Sequence, residues 1–335
     1  MMNRYSRQTL FNKIGSEGQR LIQSRTVLIV GTGALGSLSS EMLARAGVKK
    51  LILVDRDYVE LSNLQRQTLF TEDDANAKIP KVIAGAERLK DIRSDIEIDT
   101  HIAHADALLL ESLAKEADLI LDGTDNFDTR MLINDVAFKT GTPWVYAACV
   151  EASYSSCGFV PGVTPCYRCL VPVLPTTTLT CDTVGVISPA VHMAVSEQVT
   201  TAFKIMTDQF SAPFHMRMGN VWDMDHMKFK IDGMKEEACA TCGTHEYPEL
   251  EVSDVSNMSM RLCGRDTVQY IDERLTQEIV VGALNDRNIP MHETPYFVEF
   301  RYDDYRIVSF NNGRLLIHGA DQTNKARTIV NQLFG

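Results

Sequence analysis

Residues 26–55 read TVLIVGTGALGSLSSEMLARAGVKKLILVD, and this stretch predicts the fold class. Apolar runs at residues 26–30 and 51–55 have the length of buried strands, and they flank a glycine-rich turn and a helical run of small residues. A strand, a glycine turn, a helix and a second strand in this order form a βαβ unit with parallel strands. The stretch therefore predicts an α/β fold with a Rossmann-like sheet.

Outside this unit, strands and helices continue to alternate along the first 250 residues. Apolar runs predict further strands at residues 97–103, 118–121 and 144–150. Helical patterns lie near residues 78–90, 127–140 and 184–205. The alternating pattern of residues 214–231 predicts two antiparallel strands joined near Asp223. We therefore expect a mostly parallel sheet with an antiparallel extension.

The chain is expected to form two domains. Residues 1–250 carry the predicted sheet, whereas residues 258–335 have their own strands, a helix near residues 277–283 and an Asn-Asn-Gly hairpin turn. Asp321 is expected to cap a final helix that ends near Leu333. The second segment is therefore predicted to be a small α+β domain.

Charge and hydropathy exclude several classes of protein. The 335-residue chain has a formal net charge of -11, which does not supply the basic face that nucleic-acid phosphates require. No apolar run approaches the ~20 residues of a membrane-spanning helix, and residues 1–11 lack the apolar core of a signal peptide. We therefore expect a cytoplasmic protein that binds neither nucleic acid nor membrane.

The glycine-rich turn is a candidate nucleotide site. Gly31, Gly33 and Gly36 fit the G-x-G-x-x-G pattern after a strand and at the start of a helix, where backbone N–H groups bind phosphate. Asp55 ends the next strand, in the place of an acidic residue that binds a ribose hydroxyl. These features suit ATP and NAD equally, so the glycine loop alone leaves the chemistry open.

Four of the eight cysteines form two Cys-x-x-Cys pairs. Cys166 with Cys169 and Cys239 with Cys242 have the spacing of a tetrahedral four-thiolate zinc site, which is structural when no coordination position stays open. The alternatives are disulfides and free thiols, of which disulfides are rare in a reducing compartment.

Several motifs together resemble one known family. They are the two cysteine pairs, the glycine loop, and residues 4–8 (RYSRQ), 62–67 (SNLQRQ) and 123–126 (GTDN). This combination, which covers residues 4–247, resembles the MoeB/ThiF family of sulfur-carrier adenylyltransferases, relatives of ubiquitin-activating enzymes. The resemblance implies ATP-dependent adenylylation of the C-terminal Gly-Gly carboxylate of a MoaD-like or ThiS-like ubiquitin-like carrier, with release of pyrophosphate, in molybdopterin or thiamine biosynthesis.

Such a reaction needs positive charge, because a carboxylate must approach the α-phosphate of ATP. Arg66 and Lys81 can supply that charge, and the resemblance adds Asn63 near the phosphates. Asp125 follows a predicted strand at the sheet edge where ligands gather, and the resemblance assigns it a magnesium ion. Asp125 can alternatively cap the helix that follows, but Asn126, also expected at the nucleotide site, can fill that role.

The resemblance alone marks Arg7 and Cys181. In the family the arginine that matches Arg7 reaches into the ATP site of a neighbouring subunit, which implies a homodimer. Cys181 matches a cysteine that in some members forms a covalent link to the carrier, and a thiol near a helix N-terminus is often reactive. A covalent or persulfide role and a bystander thiol are both open for Cys181. Cys149, Cys157 and Cys263 are expected to be core or surface thiols.

Two other functions are alternatives to adenylylation. An NAD(P)-dependent oxidoreductase fits the glycine loop, but it does not explain residues 62–67 or the paired cysteines. A non-catalytic binding module would resemble the inactive half of a heterodimeric activating enzyme. The joint presence of the four charged candidates, Arg7, Arg66, Lys81 and Asp125, counts against that alternative.

The residues after 250 are also compared with the rhodanese domain that some eukaryotic relatives append. The sequence Cys263-Gly264-Arg265-Asp266 lacks the cysteine-led loop of an active rhodanese. We expect either an accessory module that helps to dock the carrier or a purely structural appendage.

Overall fold

The βαβ unit at residues 26–55 is extended on both sides into an eight-stranded sheet. The computed structural model describes residues 4–172, 184–251, 260–261, 267–272, 274–320 and 322–335. The strands of this sheet are β1 (Thr26–Val30), β2 (Lys50–Asp55), β3 (Glu97–Ile102), β4 (Leu119–Asp122), β5 (Trp144–Val150), β6 (Ser153–Phe159), β7 (His215–Asn220) and β8 (Asp225–Lys230).

The spatial order of these strands is β3-β2-β1-β4-β5-β6-β7-β8. The first five strands in this order pair in parallel, and β6, β7 and β8 pair in antiparallel fashion. This topology confirms the predicted α/β class and the mostly parallel sheet with an antiparallel extension.

Helices cover both faces of the sheet. They are α1 (Ser6–Thr9), α2 (Gly15–Ile22), α3 (Ala34–Ala46), α4 (Glu72–Asn76), α5 (Lys81–Ile92), α6 (Ala107–Ala114), α7 (Phe127–Thr140), α8 (Tyr167–Leu170), α9 (Ser188–Met206) and α10 (Pro248–Glu251). Side chains of α3, α5 and α9 form the core on one face, and those of α6 and α7 form the core on the other. Strands β1 and β2 are buried on both faces, which explains their continuous apolar sequences.

Strand β6 is absent from the sequence prediction. Its residues, SYSSCGF, are small and polar, so neither alternation nor an apolar run marks them as a strand. The strand pairs with β5 from Ser153 opposite Val150 to Phe159 opposite Trp144, after a turn in which Glu151 has a φ of 52°. Pairing along the whole of β5 therefore determines this strand more than its own residues do.

The residues beyond Glu251 belong to a second compact unit, because the chain divides into Met1–Glu251 and Val252–Gly335. Its strands have the order β11-β12-β13-β14-β10-β9 and pair in antiparallel fashion. The bounds are β9 (Met260–Arg261), β10 (Thr267–Ile271), β11 (Met291–Glu293), β12 (Phe297–Tyr302), β13 (Tyr305–Phe310) and β14 (Arg314–His318), with helices α11 (Gln277–Asp286) and α12 (Thr323–Phe334). The two helices and one sheet face share an apolar core of their own, as the α+β prediction requires.

The turns and helix boundaries of this unit agree in part with those predicted from the sequence. Gly313, at φ 78°, ends the turn that joins β13 to β14, as predicted from the Asn-Asn-Gly sequence. Helix α12 begins at Thr323, after Gln322, whose side chain makes no capping hydrogen bond. The predicted cap, Asp321, lies outside the described residues. Among the described residues, no helix is both long and apolar enough to cross a bilayer.

Three glycines bring the backbones at the carboxyl ends of β1 and β4 into contact. Gly31 has a φ of +87°, and a β-carbon there would lie 2.7 Å from the carbonyl oxygen of Gly123. A β-carbon on either Gly36 or Gly123 would overlap the carbonyl oxygen of Gly31. The N–H of Gly123 donates to the carbonyl oxygen of Val30 at 2.8 Å. Backbone packing therefore requires glycine at these positions.

We expect Gly36→Ala to destabilise the first unit by at least about 2 kcal/mol, because neither backbone segment can move without breaking the sheet. Gly233→Ala is the matched control, since a β-carbon on Gly233 would meet no atom within 4 Å. This control should change the free energy of unfolding by less than about 1 kcal/mol. Urea unfolding followed by circular dichroism measures both changes. Equal midpoints for the two variants would contradict the packing argument.

Candidate active site and four-cysteine cluster

The turn between β1 and α3 has open space beside one of its glycines. The nearest neighbour of a β-carbon on Gly33 would be Gln67 Nε2, at 3.7 Å. Gly33 directly precedes α3, and no side chain caps the first N–H groups of this helix. A helix N-terminus of this kind combines unpaired N–H donors with the positive end of the helix dipole. Gly33 therefore borders a space in which a phosphate group can lie.

The carboxylate of Asp55 connects the end of β2 to this turn. Its Oδ2 accepts a hydrogen bond from the N–H of Thr32 at 2.7 Å, and its Oδ1 accepts one from the N–H of Asp57 at 2.8 Å. Each carboxylate oxygen can accept a second hydrogen bond. Asp55 is thus fixed beside the glycine turn and can still bind a hydroxyl group.

Lys81 is a nearly buried cation at the same edge of the sheet. It is the first residue of α5 and is only 6% exposed. Its Nζ lies 3.7 Å from Asp57 Oδ2, and its backbone N–H donates to the carbonyl oxygen of Asp57 at 2.9 Å. Lys81 contacts Asp57, the N–H of Asp57 donates to Asp55, and Asp55 accepts from the N–H of Thr32. Three successive contacts therefore join Lys81 to the glycine turn. A buried lysine beside one carboxylate is well suited to bind a further anion.

Residues 62–67 approach the glycine turn from the other side. Gln67 lies next to Gly33, and the preceding residue, Arg66, is half-buried with its Nη1 donating to the Ser62 carbonyl oxygen at 2.9 Å. Asn63 is buried, and its Oδ1 accepts from the N–H of Glu60 at 3.1 Å in a capping box around the 3-10 helix Leu61–Asn63. Asn63 thus shapes this segment, and its contact with phosphates stays a prediction.

Asp125 and Asn126 have separate roles at the start of α7. The Oδ1 of Asn126 accepts from the N–H of Thr129 at 2.9 Å, so Asn126 is the helix cap, as the sequence allows. Asp125 is exposed, and its Oδ1 accepts from Asn126 Nδ2 at 3.3 Å. The carboxylate of Asp125 is therefore accessible to a ligand.

A buried ion pair beneath Asp125 was not predicted. Arg130 Nε donates to Asp122 Oδ2 at 2.9 Å, and Arg130 Nη2 donates to the carbonyl oxygens of Thr124 at 2.7 Å and Ala147 at 3.3 Å. Asp122 Oδ1 accepts from both the N–H and the hydroxyl of Thr124, at 2.9 and 2.6 Å. Burial acts to lower the pKa of Arg130, but Asp122 together with Tyr146 and Tyr167 outweighs this effect and the pKa is raised. The pair therefore holds the turn that carries Asp125.

Sequence patterns give no signal for this pair, because the two residues lie eight positions apart on a strand and a helix. Gln198 on α9 is also missed, although its Nε2 donates to the Asp122 carbonyl oxygen at 2.8 Å and to the Val145 carbonyl oxygen at 3.0 Å. Such residues are recognised only when the fold brings the elements together.

Arg7 lies away from the glycine turn of its own chain. It is exposed on α1, whose neighbouring Gln8 donates through Nε2 to the carbonyl oxygen of Ala46 at 3.1 Å. Ala46 is the last residue of α3, whereas the glycine turn precedes the first residue of that 13-residue helix. The two ends of such a helix are about 20 Å apart. Arg7 is therefore separated from the glycine turn of its own chain by about the length of this helix.

The four paired cysteines form one buried cluster. Their Sγ atoms all lie within 4.8 Å of one another, with distances of 3.8 Å for Cys166–Cys169, 3.5 Å for Cys166–Cys239 and 3.4 Å for Cys169–Cys242. Tetrahedral zinc with Zn–S bonds of about 2.3 Å requires sulfur separations of about 3.8 Å. Burial raises the pKa of Cys242 to about 11, a shift that a bound divalent cation would reverse. The donor set and its geometry fit zinc.

The remaining cysteines differ from this cluster. Cys157 is buried, and burial raises the pKa of its thiol to about 12, in agreement with the expected core role. Cys149 is half-buried. Cys181 and Cys263 lie outside the described residues, so the covalent and bystander roles of Cys181 are both still predictions.

Comparison with known proteins identifies relatives of this chain. The model of the ThiF family matches residues 5–244. A protein from Bacillus subtilis (strain 168) named sulfur carrier protein ThiS adenylyltransferase is 40% identical over 338 residues, which cover 100% of both chains. Molybdopterin-synthase adenylyltransferase from Escherichia coli (strain K12) is 36% identical over 247 residues, which cover 72% of this chain and 96% of that protein.

Solved structures share the fold of the first unit. A crystal structure of E. coli MccB with ATP matches this chain with a TM-score of 0.63 at 22% identity, covering 72% of this chain and 75% of that one. At that identity the likeness shows the fold alone. Since the family model spans residues 5–244 and the two relatives above are 40% and 36% identical, this chain belongs to the ThiF family.

Proposed function

We propose that the protein is a nucleotidyltransferase that uses ATP to adenylylate the C-terminal carboxylate of a ubiquitin-like sulfur-carrier protein. The observation that carries the proposal is the convergence of an open helix N-terminus at Gly33, the Asp55 carboxylate and the buried cation of Lys81 at one edge of the sheet. Two relatives named as adenylyltransferases support the same reaction class.

In the proposed reaction, one oxygen of the carrier's terminal carboxylate attacks the α-phosphorus of ATP. The bond between that phosphorus and the oxygen that bridges to the β-phosphate breaks, and pyrophosphate leaves with that oxygen and its electron pair. The product is a mixed anhydride of the carrier and AMP, which a sulfur nucleophile can convert to a thiocarboxylate. Arg66 and Lys81 would offset the repulsion between the two reacting anions and the charge of the departing pyrophosphate.

The nucleotide is proposed to lie with its phosphates over residues 31–36 and its ribose against Asp55. The N–H groups of Thr32 and Asp57 each occupy one acceptor position on an oxygen of Asp55. The remaining lone pair on each oxygen can accept a hydrogen bond from a hydroxyl group. The exposed Asp125 carboxylate would hold a magnesium ion, which would offset the negative charge of the phosphates.

A row of side chains across the sheet suits the carrier's extended tail. Met227 on β8 lies opposite Met218 on β7, Met218 lies opposite Ser155 on β6, and Ser155 lies opposite Ala148 on β5. Directly opposed residues point to the same face of a sheet. The row thus runs from exposed apolar residues at the sheet edge to small residues near its centre.

The inner end of this row reaches the turn that carries Asp125. Arg130 Nη2 donates to the carbonyl oxygens of both Ala147 and Thr124, so β5 lies beside that turn. Four strand spacings of about 4.8 Å separate β8 from β4, which amounts to about 19 Å. An extended tail of about six residues spans that distance. Small side chains at Ala148 and Ser155 leave room for such a tail, and glycine is the residue that fits it best.

The outer end of the row provides an apolar docking surface. Met227 is 61% exposed, and further exposed apolar side chains on the same hairpin are Trp222, Met224 and Phe229. Exposed apolar groups clustered in this way mark protein interfaces. We assign this docking surface, defined by Trp222, Met224, Met227 and Phe229, to the folded body of the carrier.

A ThiS-like carrier, and with it thiamine biosynthesis, is the favoured assignment. The relative named ThiS adenylyltransferase aligns with the whole chain, including the second unit, whereas the molybdopterin-synthase relative aligns with 72% of it. The alignment of the second unit also supports its proposed part in carrier docking. A MoaD-like carrier is the alternative, and a direct comparison of the two carriers as substrates decides between them.

The active form is proposed to be a homodimer in which Arg7 completes the partner's nucleotide site. Two arguments support this arrangement. Arg7 lies at the opposite end of α3 from its own glycine turn. Leu10 and Phe11, which follow it, are large apolar residues that are 68% and 59% exposed. Burial of these side chains against a second copy would carry Arg7 with them.

Zinc is proposed at the four-cysteine cluster, where it would be structural. It would link α8, which follows Cys166 and contains Cys169, to the π-helical turn Ala240–Thr244. Neither segment has regular structure of useful length, so a metal that joins them contributes directly to folding.

Arg66→Ala and Lys81→Ala are each expected to lower carrier-dependent exchange of labelled pyrophosphate into ATP by at least about 100-fold, because each removes a cation from the reacting phosphates. Lys90→Ala is the control, since Lys90 lies exposed near the other end of α5. Exchange by both site variants within about twofold of the unmodified protein would refute the roles given to the two cations. Absence of carrier-dependent exchange in the unmodified protein would refute adenylylation itself, because neither an oxidoreductase nor a binding module carries out this exchange.

Mixing two inactive variants tests the shared site. Arg7→Ala and Lys81→Ala homodimers are each expected to be inactive and folded. After exchange of subunits, a mixed dimer has one site with both lesions and one intact site, so the mixture should regain about a quarter of the original exchange rate. A mixture that stays inactive although mixed dimers form would show that Arg7 acts within its own chain, and an active Arg7→Ala homodimer would show that it does not act at all.

Met227→Asp is expected to raise the KM for the carrier about 10-fold or more, because a buried methionine contributes about 1.5–3 kcal/mol and a charge opposes burial. The KM for ATP should not change, since the docking surface lies several strands from the nucleotide. Leu108→Asp is the control, because Leu108 is also an exposed apolar residue but lies on α6. An unchanged carrier KM in Met227→Asp would remove the docking surface from the proposal.

A further inference from the structure

The carboxylate of Asp135 is fully buried in the middle of α7, next to the four-cysteine cluster. A buried carboxylate is costly unless charge and hydrogen bonds compensate for its lost hydration. Asp135 is compensated on both oxygens. Its Oδ1 accepts from the hydroxyl of Thr241, and its Oδ2 accepts from Arg168 Nη2 at 3.2 Å and from the backbone N–H of Glu249 at 3.0 Å.

These donors come from both cysteine pairs. Arg168 lies between Cys166 and Cys169, and Thr241 lies between Cys239 and Cys242. Arg168 Nε also donates to the hydroxyl oxygen of Thr241 at 3.1 Å, so the two pairs are joined directly as well as through Asp135. The carboxylate thus receives one hydrogen bond from each pair.

The neighbouring residue on α7 adds a third link. Asn134 Oδ1 accepts from the backbone N–H of Tyr167 at 2.8 Å, and Tyr167 is also part of the first cysteine pair. Two consecutive residues of α7 therefore bind the same short helix, α8. Asn134 binds its backbone, and Asp135 binds the side chain of Arg168. Both cysteine pairs are therefore fixed to helix α7 as well as to each other.

We propose that Asp135 is a positioning residue for the metal, which holds the two cysteine pairs at the spacing that a tetrahedral ion requires. This inference rests on the zinc assignment of the proposed function. Outer groups that fix metal ligands typically raise metal affinity 10- to 100-fold. Asp135 serves this purpose through Arg168 and Thr241, without contact to the ion.

The test is Asp135→Asn, which keeps the size of the side chain. The amide NH2 group would clash with the donors of Arg168 and Glu249, so it is expected to face Thr241, whose hydroxyl must then accept instead of donate. Arg168 would keep only a neutral amide oxygen at this position, which is a weaker acceptor than a carboxylate. Asp128→Asn is the matched control, because Asp128 is exposed on the first turn of the same helix. Zinc is measured by metal analysis and by its transfer to a chromophoric chelator.

We expect zinc transfer to the chelator at 10- to 100-fold lower chelator concentration in Asp135→Asn, and at unchanged concentration in Asp128→Asn. A merely structural role predicts a different pattern, in which Asp135→Asn lowers the melting temperature equally with and without zinc. The inference requires instead that the rise in melting temperature on zinc binding is smaller in Asp135→Asn than in the unmodified chain.

Thr241→Val and Thr241→Ser provide a second test that does not need a folded Asp135→Asn protein. The valine variant should lose zinc more readily, and the serine variant, which keeps the hydroxyl, should retain it. Unchanged zinc transfer in both Asp135→Asn and Thr241→Val would overturn this inference alone. An unmodified chain that purifies with far less than one zinc would overturn the zinc assignment, and the inference with it.

Discussion

Contact between two backbones at the carboxyl ends of β1 and β4 determines the shape of the proposed nucleotide site. Gly31, Gly36 and Gly123 leave no room for a side chain between the two turns, so the residues that follow Gly123 are held against the glycine turn. The buried pair of Asp122 and Arg130 fixes the same turn from below through Thr124. Reacting anions can be held at attack distance only if both turns are rigid, because small misplacements of reacting groups are costly.

Helix α7 connects this site to the four-cysteine cluster. Its first turn is capped by Asn126 and contributes Arg130 to the frame beneath Asp125, and its middle contributes Asn134 and Asp135 to the cysteine pairs. The four-cysteine cluster is therefore joined to the same helix as the proposed magnesium ligand. A structural metal at that place would stabilise the far side of an element on which the chemistry depends.

The sequence predicts those features that lie close together along the chain. The βαβ unit, the exact span of α7, the Asn126 cap and the two cysteine pairs all follow from short-range patterns. Strand β6 lacks such a pattern, because pairing with β5 supplies what its small residues do not. The sequence does not mark Asp122, Arg130 and Asp135, for a related reason. A charged residue in an apolar segment is explained only by its partner, and that partner lies far away along the chain or on another element. Arg7 and Cys181 were identified by resemblance alone.

The buried ion pair has a consequence for the behaviour of the site in solutions of different ionic strength. Dissolved ions screen exposed charges over a Debye length of about 8 Å at 0.15 M, but they do not enter a dry interior. Asp122 and Arg130 are both buried, whereas Arg66 is half-buried and Arg7 is exposed. Added salt therefore weakens the attraction between a triphosphate and the accessible cations of the proposed site. It does not weaken the buried pair of Asp122 and Arg130 that supports the site.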